Sequence, residues 1–221
     1  MAPGTAKHRR DLTPPAIRGD DRCLGRTKED PVPATTARAG IAGAIRFEGH
    51  AIVSADGMMA AADGSMPPGL RNDADWRQFQ AALDASCLVV LGRLGHRRHA
   101  NTGRRRLVFT ASVEAPTGDP NDPLALLFNP ATASLAEALA RLDIRAGTIA
   151  VTGGTRVFDY FLPLYDRFAL VEANAFVLPG GRPCFTTGHP RTVLGAAGLH
   201  PLRPDVLDAE AAVTMTLWER D

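Results

Sequence analysis

The sequence predicts an α/β fold with a mostly parallel central sheet that ends in antiparallel strands. Strand-like and helix-like patterns alternate through the middle of the chain, and glycines at positions 92, 153 and 154 directly follow strand patterns. The 221 residues, of which 45% are hydrophobic, suffice for one domain with a sizeable core. Since ligands of such sheets bind beyond the carboxyl ends of the strands, these glycines mark the expected site.

The predicted elements start at Ile45, where residues 45–54 alternate as a strand. Residues 73–83 carry apolar side chains at helical spacing. A second helix follows Ser134, the expected N-cap, with Glu137 three residues later completing a capping box. A third helix is predicted over residues 157–164. The other predicted strands are residues 87–91, 106–110, 125–128, 148–151, 167–173 and 214–218.

The N-terminal segment differs in composition from the rest of the chain. Residues 1–43 are rich in proline, glycine, threonine and charged residues and show no sustained periodicity. A segment of this kind cannot bury enough apolar surface to fold. We therefore predict a disordered arm over residues 1–43 and a folded domain over residues 44–221.

Composition argues against several classes of function. The net charge of +1 gives no general attraction to nucleic acid or to a membrane surface. No apolar run approaches the roughly 18 residues of a membrane helix, and the first 30 residues lack the apolar core of a signal peptide, so we expect a cytoplasmic protein. Three widely spaced cysteines indicate neither a disulfide framework nor a zinc site, and no metal is expected.

The paired glycines Gly153 and Gly154 stand between a β-branched run and a helical pattern. Glycine lets the backbone approach a ligand closely, and the start of the next helix offers free N–H groups to an anion. This favours a cofactor that bears phosphate, although a tight connection alone would also explain the glycines. The patterns G-x-G-x-x-G and G-x-x-x-x-G-K-[ST] are absent, so neither a standard dinucleotide fold nor a P-loop is predicted.

Six segments in order resemble the dihydrofolate reductase superfamily, which includes the reductase domain of bacterial riboflavin biosynthesis. They are IVSADGMMA (52–60), MPPGLRNDADW (66–76), VVLGR (89–93), GRRRLVFT (103–110), VTGGTRVFDYFLPLYDRF (151–168) and the strand ending LWER (217–220). The resemblance covers about residues 45–221, and its most specific segment is the fifth. It implies a three-layer fold with helices on both faces of the sheet, NADPH as cofactor and a cis peptide bond between the paired glycines.

The resemblance also implies which residues serve the cofactor and the substrate. Arg104 matches an arginine that holds the glutamate carboxylate of folate. The acid that contacts the pterin lies seven residues after the loop methionine and three before a tryptophan, which gives Asp73 with Trp76, whereas counting back from Phe79 gives Asp75 as the alternative. Without the resemblance, both acids would be read as first-turn residues favoured by the helix dipole. The implied cofactor residues are Gly92, Arg93, Thr110, Ser112, Gly153, Gly154, Thr155, Arg156 and Val157.

The implied activity is hydride transfer from NADPH to a reduced pterin, either dihydrofolate or its analogue dihydromethanopterin. Three departures leave the substrate open. Pro68 replaces the usual loop tryptophan, Leu94 stands where a threonine caps the phosphate helix, and residues 177–185 are closer to the riboflavin-type reductases. A riboflavin-pathway reductase acting on a phosphoribosylamino-pyrimidine and a non-catalytic NADPH-binding protein are therefore the alternatives. The sequence leaves a monomer and a homodimer equally open.

Overall fold

The structure is a computed structural model that describes residues 38, 40, 41, 43–99 and 101–221. The predicted arm, residues 1–43, lies outside the described residues except for Arg38, Gly40, Ile41 and Gly43. Its disorder and the domain boundary at residue 44 stay predictions. No helix in the described part is long and apolar enough to cross a membrane.

The described chain forms twelve strands. They are β1 (Ile45–Ser54), β2 (Met58–Ala60), β3 (Leu88–Gly92), β4 (Arg106–Phe109), β5 (Thr117–Asp119), β6 (Asp122–Phe128), β7 (Gly147–Val151), β8 (Arg167–Ala173), β9 (Arg182–Pro183), β10 (Leu199–Pro201), β11 (Asp205–Asp208) and β12 (Val213–Arg220). The helices are α1 (Asp73–Ala85), α2 (Arg93–Arg98), α3 (Leu135–Arg141), α4 (Thr155–Phe161) and α5 (Pro190–Ala196), and a 3-10 turn covers Pro68–Leu70.

Ten of these strands form one sheet in the order β10-β12-β8-β1-β7-β3-β4-β6-β5, with β11 paired to β12 beside this path. The six strands from β8 to β6 run parallel to one another. Strands β10, β11 and β12 are antiparallel to their partners, as is β5 at the opposite edge. The predicted mostly parallel sheet with antiparallel C-terminal strands is therefore confirmed.

Helices cover both faces of this sheet. Successive side chains of a strand point to opposite faces, so the partners of neighbouring residues show which helix packs on which face. On β3, Leu88 and Val90 belong to the large core with α3, α4 and α5. Val89 and Leu91 belong instead to a smaller cluster with Leu83 of α1. The result is three layers, and α1 is the long helix on the second face.

The local signals of the sequence position the helices as expected. The Ser134 hydroxyl accepts a hydrogen bond from the Glu137 N–H at 3.1 Å, which confirms the predicted N-cap of α3. Helix α1 begins after Asn72, whose side chain accepts hydrogen bonds from the N–H groups of Ala74 and Asp75. The helix predicted over residues 157–164 instead covers Thr155–Phe161, because Gly154 caps it directly.

Candidate active site

An open cleft of about 300 Å³ lies between α1 and the sheet face formed by β1, β8 and β12. Strand register arranges its floor in rows that run across the three strands. Ile52 pairs with Val171, which pairs with Met215, and the next row is His50, Ala169 and Leu217. All six of these residues line the cleft. Since most of them are apolar, the few polar groups of the cleft stand out.

Asp75 is the carboxylate of the first turn of α1 that lines this cleft. Burial raises the pKa of Asp75 to about 6, since water that would solvate the ionised form is partly excluded. The cause is desolvation alone, with no charged neighbour contributing. Perturbed carboxylates in clefts are frequent acid–base groups, so Asp75 has the properties that proton transfer near neutral pH requires.

The structure does not bring Asp73, the first choice of the sequence analysis, into the cleft. Asp73 is exposed at the first position of α1 and is absent from the cleft lining. The reason is helical geometry: Asp75 precedes Phe79 by four residues and therefore shares its face, and Phe79 lines the cleft. The structure thus favours Asp75, the alternative obtained by counting back from Phe79.

Trp76 lies at the rim of the cleft. Its side chain lines the opening and remains 54% exposed. The indole ring lies 5.9 Å from the ring of Phe79, centroid to centroid. An aromatic surface half open to solvent offers stacking area to a flat ligand. The substrate-contact role that the resemblance implies for Trp76 stays a prediction.

The paired glycines lie at the carboxyl end of β7, next to the cleft. The peptide bond between Gly153 and Gly154 is cis, which confirms that expectation. Gly153 accepts a hydrogen bond at its carbonyl from the Gly92 N–H at 2.8 Å, so the ends of β7 and β3 are joined. Gly154 is exposed, and a Cβ built on it would lie 3.4 Å from the terminal methyl of Met59, a residue of the cleft. Neither glycine lines the cleft itself, but Thr152, just before the pair, and Met59, beside Gly154, both do.

The other residues predicted to bind the cofactor follow neighbouring strand ends. Gly92 and Phe109, the last residues of β3 and β4, pair with each other in the sheet. Arg93, which follows β3, and Thr110 and Ser112, which follow β4, therefore lie at the same edge. The hydroxyls of Thr110 and Ser112 are 3.0 Å apart and share a hydrogen bond. Arg93 is exposed. The structure thus gathers these residues at one edge of the sheet, although they are distant in sequence.

Helix α4 carries the last three predicted cofactor residues, which differ in exposure. Arg156 is exposed in the first turn, whereas Val157 is buried in the core and its N–H donates to the Gly154 carbonyl at 2.8 Å. The Thr155 hydroxyl donates a hydrogen bond to the carbonyl of Pro183 at 2.5 Å. Its hydroxyl proton is therefore already engaged within the protein.

Arg104 is not a cleft residue. Its guanidinium contacts Asp84 at 2.6 Å and Gln80 at 2.9 Å, both on α1. The neighbouring Arg106 is 5% exposed and pairs with Asp122 at 2.5 Å. Arg104 and Arg106 are thus both held by side chains of the protein.

Sequence reasoning missed a second polar group in the cleft, formed by Glu48, His50 and Arg167. Burial lowers the pKa of His50 to about 4, so the imidazole is neutral at physiological pH. Burial also raises the pKa of Glu48, an effect that the charge of Arg167 opposes and that of Glu219 reinforces. The available signal was the alternation of β1, which puts two polar residues, Glu48 and His50, on the face that carries Ile52.

No protein-family model matches the sequence, and a search of curated proteins finds no match. Solved structures do match. Dihydrofolate reductase from Enterococcus faecalis, complexed with NADP(H) and RAB-propyl, superposes with a TM-score of 0.57 at 18% identity, over 80% of this chain and 96% of that one. The chain has the dihydrofolate reductase-like fold.

Two further solved structures share this fold. A protein from a Shewanella species that is ascribed to riboflavin biosynthesis matches with a TM-score of 0.56 at 16% identity, over 80% of this chain and 99% of that one. The deaminase and 5-amino-6-(5-phosphoribosylamino)uracil reductase of Thermotoga maritima matches with a TM-score of 0.54 at 12% identity. There the match covers 80% of this chain and 56% of the larger protein.

The described residues of the dihydrofolate reductase-like domain contain no group of three histidine, cysteine, aspartate or glutamate side chains placed to hold a metal ion. The candidate site combines the half-buried Asp75 on α1, the polar group of Glu48, His50 and Arg167 on β1 and β8, and the paired glycines at the neighbouring strand end.

Proposed function

We propose that this chain is an NADPH-dependent reductase that transfers a hydride to the ring of a reduced pterin, with dihydrofolate and dihydromethanopterin as the first substrates to test. The observation that carries the proposal is Asp75, a half-buried carboxylate in an apolar cleft whose lining includes Met59, the neighbour of Gly154. The resemblance of the segments around Met66, Trp76 and Gly153 supports the same conclusion.

The residues at the sheet edge fit a nicotinamide dinucleotide. Gly92 and Gly154 carry no side chains where their backbones meet, since a Cβ on Gly92 would lie 3.7 Å from the Gly154 nitrogen. The exposed guanidiniums of Arg93 and Arg156 suit phosphate oxygens, which arginine binds in a bidentate manner. The hydroxyl of Ser112 adds a neutral donor at the same edge. When bound, the cofactor supplies the hydride.

Asp75 would bind and orient the pterin and hold a proton for it. Its carboxylate accepts hydrogen bonds from the amino group and ring N–H of an amino-pyrimidine edge. With a pKa of about 6, the group exists in both protonation states near neutral pH and favours protonation of the ring nitrogen that becomes basic during reduction. Trp76 and Phe79 cover the ring and exclude water, which strengthens these contacts.

A substrate panel tests the proposal. Purified protein is mixed with NADPH and either dihydrofolate, dihydromethanopterin or the phosphoribosylamino-pyrimidine of riboflavin synthesis, and the loss of NADPH absorbance is followed. Oxidation with a pterin supports the proposal, and absence of turnover with every pterin would refute it. Asp75→Asn is expected to abolish turnover near neutral pH while NADPH binding persists, and Asp73→Asn, its matched control from the same helical turn, is expected to remain active.

The second candidate is the riboflavin-pathway reductase, favoured by the segment 177–185 and by structures of that kind among those that share the fold. Its substrate carries a phosphate. Arg167 is the cation of the described cleft lining, and it is already paired with Glu219. Rescue of a riboflavin auxotroph rather than of a folate-reductase mutant would establish this alternative. Tight NADPH binding with no turnover of any substrate would indicate a non-catalytic protein.

A further inference from the structure

The cleft continues well beyond Asp75, along the direction of β1. Two residues of a strand span about 6.6 Å, so Glu48 lies roughly 13 Å along the strand from Ile52. All of Glu48, His50 and Ile52 line the cleft. On the opposite wall, Phe79 lies one helical turn after Asp75, and its ring is 6.1 Å from that of His50. A ligand ring held at Asp75 therefore leaves room for a substituent that reaches His50 and Glu48.

His50 is the central residue of this extension. Its side chain is 8% exposed, and within the described residues its ring makes no hydrogen bond. The nearest charged atom is Glu48 Oε1, 3.5 Å from Nε2. Around it lie Ala169, Leu217 and Phe79, which offer no polar partner. A ring nitrogen that faces an open cleft and has no hydrogen bond within the protein is available to a donor or acceptor of a ligand.

The charges of the extension decide which ligand fits. The imidazole of His50 is neutral near pH 7, since burial lowers its pKa to about 4, and it offers one donor and one acceptor. Glu48 adds acceptors and, when ionised, repels anions. Arg167 neighbours Glu48 in the sheet, but its Nε donates to Glu219 at 2.8 Å, so its charge is already compensated. Phosphate and carboxylate groups therefore meet no free cation in this part of the cleft.

We propose that Glu48 and His50 form a subsite for an uncharged, hydroxyl-bearing tail of the substrate, so that the preferred substrate is a dihydropterin with a short polyol substituent rather than a phosphorylated or glutamylated one. A polyol supplies the donors that Glu48 accepts and both partners of the imidazole. This inference rests on the proposed pterin reductase activity. It also agrees with the engagement of Arg104 by Asp84 and Gln80, away from the cleft.

The test compares substrates that share one ring and differ only in the tail. Methyl, hydroxymethyl, trihydroxypropyl and trihydroxypropyl-phosphate dihydropterins, together with dihydrofolate, are titrated by calorimetry and assayed for NADPH oxidation. One neutral hydrogen bond is worth roughly 3- to 10-fold in affinity, so the trihydroxypropyl compound is expected to bind about 10-fold or more tighter than the methyl compound. The phosphorylated and glutamylated compounds are expected to show no such gain.

Variants separate the subsite from the rest of the cleft. His50→Leu is expected to abolish the preference for hydroxyls while methyl-dihydropterin still binds. His50→Gln keeps a donor and an acceptor and is expected to retain part of the preference. The matched control is Glu137→Gln, which removes an exposed carboxylate of α3 outside the cleft lining and is expected to leave the preference for hydroxyls intact.

The outcomes distinguish this inference from the function on which it rests. Turnover of dihydropterins with equal affinity for methyl and polyol tails, or with tighter binding of the charged tails, would overturn the subsite and leave the reductase proposal standing. Absence of binding and turnover with every dihydropterin would overturn both. A preference for hydroxyls that survives His50→Leu would also overturn the assignment of the subsite.

Discussion

Replacing Asp75 by asparagine is expected to stabilise the protein while it stops turnover. The carboxylate is needed for proton transfer in the proposed reaction, yet its burial makes the ionised form expensive. Asparagine has nearly the same shape and carries no charge at any pH. The substitution therefore removes both the proton transfer and the desolvation penalty of the ionised carboxylate. A purely structural aspartate would not show this combination.

The size of the effect follows from the pKa. Burial raises the pKa of Asp75 from 3.8 to about 6, and each pKa unit corresponds to about 1.4 kcal/mol. Because the folded-state pKa is the higher one, the native protein binds more protons than the unfolded chain between these values, and the wild type loses stability as the pH rises through this window. The advantage of asparagine is therefore about 1.5 kcal/mol near pH 5 and about 3 kcal/mol near pH 7.5, within about a factor of two.

Urea unfolding of the wild type, Asp75→Asn and Asp73→Asn at both pH values measures this advantage. At neutral pH the gain corresponds to a rise in Tm on the order of 5 to 10 °C. Asp73→Asn changes an exposed residue of the same turn and is expected to stay within about 0.5 kcal/mol of the wild type. If Asp75→Asn were destabilising at pH 7.5, or if its effect were independent of pH, the assignment of a costly buried carboxylate would be wrong.

Three further predictions follow from single contacts. Gly154→Ala is expected to fold normally, since its Cβ would meet nothing closer than 3.4 Å, and to raise the KM for NADPH. Gly153→Ala is expected to lower the Tm, because the φ of Gly153 is +98° and the new Cβ would lie 2.7 Å from the ring of Phe158 on α4. In urea unfolding, Asp122→Asn is expected to cost about 3 kcal/mol, because it leaves Arg106 buried without its ionic partner. When the pH falls from 7.5 to 5, the stability of the wild type relative to His50→Leu is expected to decrease by about 2 kcal/mol, because the unfolded imidazole gains a proton more readily than the buried one.

A specific result would contradict each of these predictions. Normal NADPH kinetics in Gly154→Ala would remove that glycine from the cofactor site, and an unchanged Tm in Gly153→Ala would contradict the steric argument. A loss below 1 kcal/mol in Asp122→Asn would mean that water compensates the guanidinium, as it does for the exposed pair of Arg145 and Asp143. Equal pH dependence of the wild type and His50→Leu would show that His50 is not kept neutral by burial.

Much of the fold could be predicted from the sequence because its long elements carry strong periodic signals. Strands β1 and β8, helix α1 and the capped start of α3 lie close to their predicted bounds. The short strands β2, β5 and β9 were not predicted. Each has two or three residues, and its hydrogen bonds come from partners that are distant or whose register is irregular. Local sequence holds little information about pairing of that kind.

The candidate site divides in the same way. The paired glycines could be predicted because two glycines directly after a strand pattern are recognisable in the sequence. Their position at the carboxyl edge of the sheet follows from the parallel topology. The choice between Asp73 and Asp75 depended on the phase of one helix, which Asn72 sets by capping it. Glu48 and His50 look ordinary as residues, and their significance arises from burial by α1, which a single strand pattern does not reveal.

The position of β12 in the sequence determines when the cleft of a nascent chain is complete. This strand lies between β10 and β8, and its residues Met215 and Leu217 complete the floor of the cleft. During translation, the residues that carry Asp75 and the paired glycines leave the ribosome well before this floor exists. A ligand of this cleft therefore cannot assist the early steps of folding. It stabilises the protein only after Leu217 has been synthesised and β12 has inserted between β10 and β8.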